Sequence, residues 1–248
     1  MTIADRIRAH RTREADIDRR ARRRLAADAA EHARRQRVSL SDAFTVFLRR
    51  PSPWIIAGML ATAATARFVV GDWQLTDAVV PVVMLALFPL AEWVIHVCVL
   101  HWRPRRIGPV TIDSLLARKH REHHADPRDV PLVFIPWQTF LWLLPALILI
   151  ALLAFPRVGL GLTFLTVLGV LGLNYEWTHY LIHTDYKPRT RLFKAVWRNH
   201  RLHHFKNEHY WFTVTTSGTA DRLLGTHADP AATPNSPTAK ALHARTAA

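Results

Sequence analysis

Two near-identical histidine clusters stand eighty residues apart, His120-Arg-Glu-His123-His124 and His200-Arg-Leu-His203-His204. Each follows a further pair, His96 with His101 and His179 with His183, so ten of the 15 histidines fall in four short groups. Imidazole is the commonest protein metal ligand, and ten rings exceed what one ion can use. The economical reading is a dinuclear metal centre. On a helix, positions i, i+3 and i+4 share a face, so each H-x-x-H-H can aim three rings at one place, and His179 with His183 adds an i,i+4 pair. His96 and His101 are five apart, and a regular helix would splay them by about 140°. A helix end or local distortion is expected there, or else service to different ions; Arg103-Pro104 suits a helix end. Glu92 precedes His96 by four residues and Glu176 precedes His179 by three, both within apolar runs. A carboxylate there is expensive unless paired or functional. Each is a candidate to accept a ligand histidine's second ring proton, or to cap a neighbouring basic side chain. His209 is a candidate for the same surrounding shell. His10, His32, His227 and His243 are expected to stay outside.

The elements that must carry these groups are apolar. Half of the 248 residues are hydrophobic, yet the mean hydropathy is only +0.02, as when apolar residues concentrate in segments with charge between them. Four runs do so: Pro53 to Val70, Ala78 to Leu100, Leu132 to Phe155, and Val158 to Ile182. Each has the length needed to cross a hydrocarbon core. The third contains no charged residue, which argues against buried helices of a soluble protein. Arg67, near the end of the first, is placed to snorkel. The expected fold is all-α: an integral-membrane bundle of four transmembrane helices, with a helical cap that carries the histidine site.

Charge orients the bundle. The formal net charge is +14, a balance that favours nucleic acid, anionic lipid or a cytoplasmic membrane face. Residues 1–50 read as a basic arm, whose opposite charges at helical spacing suit a solvated or membrane-surface helix; an interfacial helix over Ser39–Arg50 ends before Pro51. Residues 3–38 of the arm lack the aromatics that would stack on bases, so no nucleic-acid partner is expected. It resembles neither a secretory signal nor an acid-poor transit peptide. The Gly71–Asp77 loop has two aspartates and no basic residue, whereas the arm, the Trp102–Asp129 segment and the chain after Ile182 are rich in Arg and Lys. The positive-inside rule then places both termini and all four histidine groups in the cytoplasm. Arginine greatly outnumbers lysine, as in GC-rich bacterial genomes, so a bacterial inner membrane is expected. The single cysteine, Cys98, excludes an internal disulfide and a Cys-rich zinc module. Residues 227–248, rich in Ala, Pro and Thr, read as a disordered tail. The membrane-embedded domain is thus 51–226.

Neutral imidazoles suit iron, copper, zinc or nickel alike. Location narrows the chemistry. A site where spans meet water can receive a long apolar chain from the bilayer and redox partners from solution. Attack on an unactivated C–H bond needs a redox metal and dioxygen, because no side-chain nucleophile can perform it. Iron is the functional expectation, with zinc able to occupy the same ligands in a purified sample.

From Glu92 to Thr226 the residues resemble the fatty acid hydroxylase/sterol desaturase superfamily of membrane non-haem di-iron enzymes. The resemblance rests on H-x4-H (His96, His101), H-x-x-H-H (His120, His123, His124), H-x3-H (His179, His183) and H-x-x-H-H (His200, His203, His204). HREHHADPRDVPLVFIP from His120 and YEWTHYLIH from Tyr175 are similar to the fatty-acyl 2-hydroxylase branch, with Glu176 replacing its usual aspartate. Phe212-Thr213 and Ala220-Asp221 stand where the family commonly has Phe-Gly and Trp-Asp, a change to the wall of the substrate pocket. The resemblance implies that the ten histidines bind two iron ions, activate dioxygen and hydroxylate a lipid acyl chain. No His-Pro-Gly-Gly haem motif occurs, so a separate electron-donor protein is implied. Lys119, Arg121, Arg198 and Arg201 flank the clusters and are candidates for an anionic headgroup, or for anionic membrane lipid. Within the same superfamily the rivals are a sterol desaturase or methyl oxidase and a carotenoid ring hydroxylase. From another class comes a non-catalytic metal-binding or metal-transport protein, which would need polar residues midway through its spans.

Overall fold

The computed structural model describes residues 38–243; the basic arm before Val38 lies outside the described residues. Helix α1 (Leu40–Phe47) starts at a capping box, in which Ser39 Oγ accepts from the Asp42 amide at 3.1 Å and Asp42 accepts from the Ser39 amide at 3.3 Å. Two orphan amides are thereby satisfied. Its apolar side docks through Ala43 and Phe47, and the Phe47 ring lies 5.1 Å from Trp177 and 5.7 Å from Phe134. Pro51 then opens α2 (Pro51–Val70), where a missing amide costs nothing. A 3₁₀ turn (Leu75–Ala78) leads into α3 (Val79–Ile95), which ends in a π-helical turn over His96–Leu100. A short antiparallel hairpin follows, β1 (Arg105–Ile107) with β2 (Val110–Ile112), a small departure from the all-α expectation. Helix α4 (Leu115–Ala125) carries the first H-x-x-H-H. The chain re-enters the apolar layer through α5 (Val130–Val133) and α6 (Phe140–Leu153), and returns along α7 (Val158–His183). Helix α8 (Arg191–Phe205) carries the second H-x-x-H-H, and α9 (Thr219–Leu223) is a single turn.

Four stretches are long and apolar enough to cross a membrane: Pro51–Val70, Leu75–Leu100, Val130–Leu153 and Val158–His183. Their outer faces, with Phe68, Leu87, Leu141 and Leu153, are uncovered by protein. Contacts between spans instead depend on small residues, because apolar side chains gain little by exchanging lipid for one another. A Cβ at Gly169 would meet Leu60 Cβ at 2.8 Å, and one at Gly161 would strike the Ala151 carbonyl. These glycines let α7 lie against α2 and α6.

The end of the bundle remote from the histidines is closed by charge. Arg67 does not snorkel; it is 3% exposed, donates to Asp77 at 2.7 Å and to Thr163 at 3.0 Å, and stacks on Trp73. Arg157 donates to Asp72 at 2.7 Å and also to Asp77, which joins the turn before the second span to the turn before the fourth. A buried guanidinium is tolerable only with such partners, and removing one partner of a buried pair typically costs about 3–5 kcal/mol. Asp77→Ala should therefore lower the thermal midpoint in detergent by well over the effect of Arg157→Gln, which leaves the Arg67–Asp77 pair intact. Equal effects from the two substitutions would refute this account of the closed end.

Candidate metal centre

All four histidine groups lie at the opposite end. Helices α4 and α8 are built alike: Ser114 and Thr190 cap their N-termini, accepting from Ala117 and Phe193 at 3.1 and 3.2 Å, and the histidines occupy the last turns. The ten rings assemble into two adjacent groups of five. His96, His101, His120, His124 and His203 form the first, and His123, His179, His183, His200 and His204 form the second; within each, one nitrogen per ring lies within 4.8 Å of all the others. The groups adjoin through His124 and His204, whose ring centroids are 4.2 Å apart.

Each H-x-x-H-H is split between the two groups, not aimed at one place as its shared face had implied. At about 100° per residue, i and i+4 are about 40° apart while i+3 and i+4 are about 100° apart. His120 and His124 thus share the first group and His123 faces the second; His200 and His204 share the second and His203 crosses to the first. His96 and His101 fall in one group because the helix is distorted, as expected. The His101 amide donates to the His96 carbonyl at 2.9 Å, an i→i+5 bond that returns the two rings to one side, with centroids 4.9 Å apart.

The ring nitrogens are ordered. Facing pairs are all Nε2–Nε2: His96–His120 at 3.1 Å, His120–His124 at 3.2 Å and His101–His203 at 3.2 Å in the first group. In the second they are His123–His183 at 3.2 Å, His183–His200 at 3.0 Å and His200–His204 at 3.1 Å. Four Nδ1 atoms face carbonyls: His96 to Phe212 at 2.5 Å, His203 to Tyr210, His124 to Ala239 and His179 to Val133, each of these three at 2.8 Å. A carbonyl can only accept, so these four rings carry their proton on Nδ1 and point an Nε2 lone pair inward. His179 Nε2 has no protein partner. A bond of about 2.0–2.1 Å from nitrogen to metal separates neighbouring ligand nitrogens by about 3.0 Å at right angles and about 3.4 Å at tetrahedral angles. The observed spacings, the inward lone pairs and the unpartnered His179 nitrogen all fit a cation in each group.

Electrostatics agree. Eight of the ten histidines are buried, and His101 and His183 partly so. Burial pushes His101, His120, His123, His200, His203 and His204 well below the usual imidazole range and takes His124 down to about 3. Neutral rings are the form that ligates metal.

Glu92 and Glu176 touch neither a ligand ring nor a basic side chain. Glu92 Oε1 accepts from the Thr215 amide at 3.0 Å and its hydroxyl at 2.6 Å, and Glu176 Oε1 accepts from the Ile135 amide at 2.9 Å. Each carboxylate pins a non-helical segment whose nearby carbonyl, Phe212 or Val133, orients a histidine. His209 is also corrected: its ring is 72% exposed and turned to Glu208. Of the basic candidates, Lys119 pairs with Glu122 and Arg121 with Asp113, both at 2.6 Å, while Arg201 stacks on Trp197 and Phe205 and Arg198 is exposed.

Asp221, fully buried, does more for the site than its position suggested. It accepts from the Phe212 amide at 2.8 Å, the Thr213 amide at 3.0 Å and the Thr226 hydroxyl at 2.7 Å. These bonds hold Trp211 at φ +57°, a conformation costly for a bulky side chain, so that the carbonyls of Tyr210 and Phe212 both meet histidines of the first group. The buried hydroxyl of Thr213 also reaches Asp221, at 2.5 Å, and the Phe212 ring lies 5.2–5.5 Å from His203, His96 and His101. The C-terminal segment, expected from sequence to be a disordered tail, is described as far as His243 and supplies the Ala239 carbonyl.

The model of the family described as "Fatty acid hydroxylase" matches residues 81–226, more than half of the chain. The chain belongs to the fatty acid hydroxylase family. No curated protein matches it. A solved structure titled "Full length scs7p (only hydroxylase domain visible)" is similar in fold, with a TM-score of 0.56 and 18% identity over 81% of this chain and 70% of that one. The protein is therefore a membrane enzyme of the fatty acid hydroxylase family with two histidine groups able to hold metal ions.

Two outcomes test this geometry. His124 is held neutral, whereas an unfolded chain binds its proton below the ordinary value of 6.5, so its contribution to stability is complete above that value and lost as pH falls from 6.5 towards about 3. The thermal midpoint of metal-free protein should fall steadily through that window, and a flat profile would contradict the buried neutral cluster. Replacing Glu176 by alanine should weaken zinc binding about 10-fold through the displaced Val133 carbonyl, as loss of outer contacts typically does; an unchanged dissociation constant would refute its positioning role.

Proposed function

We propose that this protein is a di-iron monooxygenase that hydroxylates the acyl chain of a membrane lipid. The observation that carries the reading is the pair of adjoining five-imidazole groups at the mouth of an apolar bundle. The ten histidines are the ligands, five to each iron. The bound irons would supply activation of dioxygen: with two electrons from a separate donor protein and two protons, one oxygen atom would enter a C–H bond to give an alcohol and the other would leave as water.

The chain's own residues do the rest. The four carbonyl-held rings keep their tautomers, so little reorganisation is needed when charge changes at the metals. Phe212 shields the first group, and the buried ring faces leave few routes for water, which protects reactive species from side reactions. An acyl chain reaches this end of the bundle from the bilayer without crossing water. Loop charge supports a cytoplasmic placement of the histidine end, where a separate electron-donor protein has access. Arg198, exposed on the same helix as the second H-x-x-H-H, is the best placed of the basic candidates to meet an anionic headgroup.

Lipid extracts from cells expressing the wild type and His203→Ala decide the matter. The wild type should yield an acyl product one oxygen heavier, absent from the variant. A product two hydrogens lighter would favour a desaturase of the same superfamily, and metal uptake without dioxygen consumption would favour a non-catalytic metal protein.

A further inference from the structure

The last described segment, residues 227–243, lies beyond the residues matched by the family model. It is fastened at one end to the three residues that follow α8. The Ser236 amide donates to the Lys206 carbonyl at 2.7 Å, Asn207 Nδ2 donates to the Pro234 carbonyl at 3.2 Å, and the Thr238 hydroxyl donates to Glu208 at 2.5 Å. Asn207 and Glu208 are both buried, as are Thr233, Ala239 and Leu242. At its other end the segment meets two histidines. The Ala239 carbonyl accepts from His124 Nδ1 at 2.8 Å, and His243 Nε2 donates to the His101 carbonyl at 3.1 Å.

The contacts with the ligand histidines themselves are one-sided. The first group draws its rings from three elements: the end of α3 with its π turn, α4 and α8. The C-terminal segment bonds to the first two and to the residues that directly follow α8. Among the described residues, its ring and backbone bonds to ligand histidines fall on His101 and His124, both of the first group. In the second group, four of five rings come from the long continuous helix α7 and from α8, with His179 held by Val133.

We propose that residues 227–243 form a strap that positions the first histidine group alone, so that the two metals of one chain are held by separable means. The inference rests on the reading of the ten histidines as ligands. His124 keeps its inward lone pair only while Ala239 receives its proton, and the His101 backbone is steadied by His243. Releasing the strap frees both, and leaves the carbonyl that orders the second group untouched.

The test is zinc stoichiometry and chelator-driven zinc release in the full chain, in a chain ending at Pro230, and in His243→Ala and His243→Gln. The wild type should hold two zinc ions, and the shortened chain one. Combining the truncation with His203→Ala should cost no further zinc, whereas combining it with His204→Ala should remove the remaining ion. In the point variants, one of the two ions should leave about 10-fold faster in His243→Ala, consistent with loss of an outer contact. Glutamine, whose amide can donate to the same carbonyl, should restore the wild-type rate. Two ions in the shortened chain with unchanged release from His243→Ala would overturn the strap. Equal acceleration of both ions would also overturn it, by showing a general scaffold. A wild type that binds no zinc would overturn the ligand reading itself, an outcome distinct from either.

Discussion

Ten imidazoles buried at one place can coexist only if all are neutral and their lone pairs share a destination. That requirement governs the cap. A carboxylate behind each ring would add negative charge to a region already shut from water, and the protein instead uses backbone carbonyls. Helical carbonyls are already spent on i→i+4 bonds, so the acceptors must come from helix ends or irregular backbone. Val133 is the last residue of α5; Tyr210, Phe212 and Ala239 lie in segments without regular structure. The non-helical stretches around the site are therefore a consequence of the chemistry that the rings must be kept ready for.

Those stretches need anchors of their own, and the buried acids serve that purpose. Glu92, Glu176 and Asp221 all accept from backbone amides within three residues of a carbonyl that orients a histidine. Each acid offers a side-chain oxygen to its amide at a point one segment away from the rings. The same economy operates at the far end of the bundle, where Asp77 answers both Arg67 and Arg157. Between the two ends the spans contribute shape alone, through close approach at Gly161 and Gly169.

The spans and the histidine end were legible because length, hydropathy and loop charge are summed over many residues and survive local exceptions. The assignment of rings to two groups was also present in the spacing, in the difference between about 40° and about 100° around a helix, although treating i, i+3 and i+4 as one face hides it. The five-residue interval of His96 and His101 announced a distortion without saying that a π turn would unite them. The roles of Glu92 and Glu176 were not legible. Both partners are backbone amides, which every residue has and no pattern marks. The strap was hidden for a related reason: Ala, Pro and Thr give no periodicity, and its attachments are single residues such as Asn207 and Thr238 set far away in the chain.

The two histidine groups are thus alike in ligand count and unlike in support. The second takes two of its five rings from α7, a helix packed against other spans, so that part of its geometry is inherited from the bundle. The first gathers rings from a distorted helix end, a short cap helix and α8, and needs Asp221, the loop it holds and the C-terminal segment to bring them into register. Backbone that is not part of a packed helix opens locally at lower free energy. Any release of metal, or any access for molecules larger than water, is therefore easiest at the first group, where Phe212 and the segment through Ala239 form the cover.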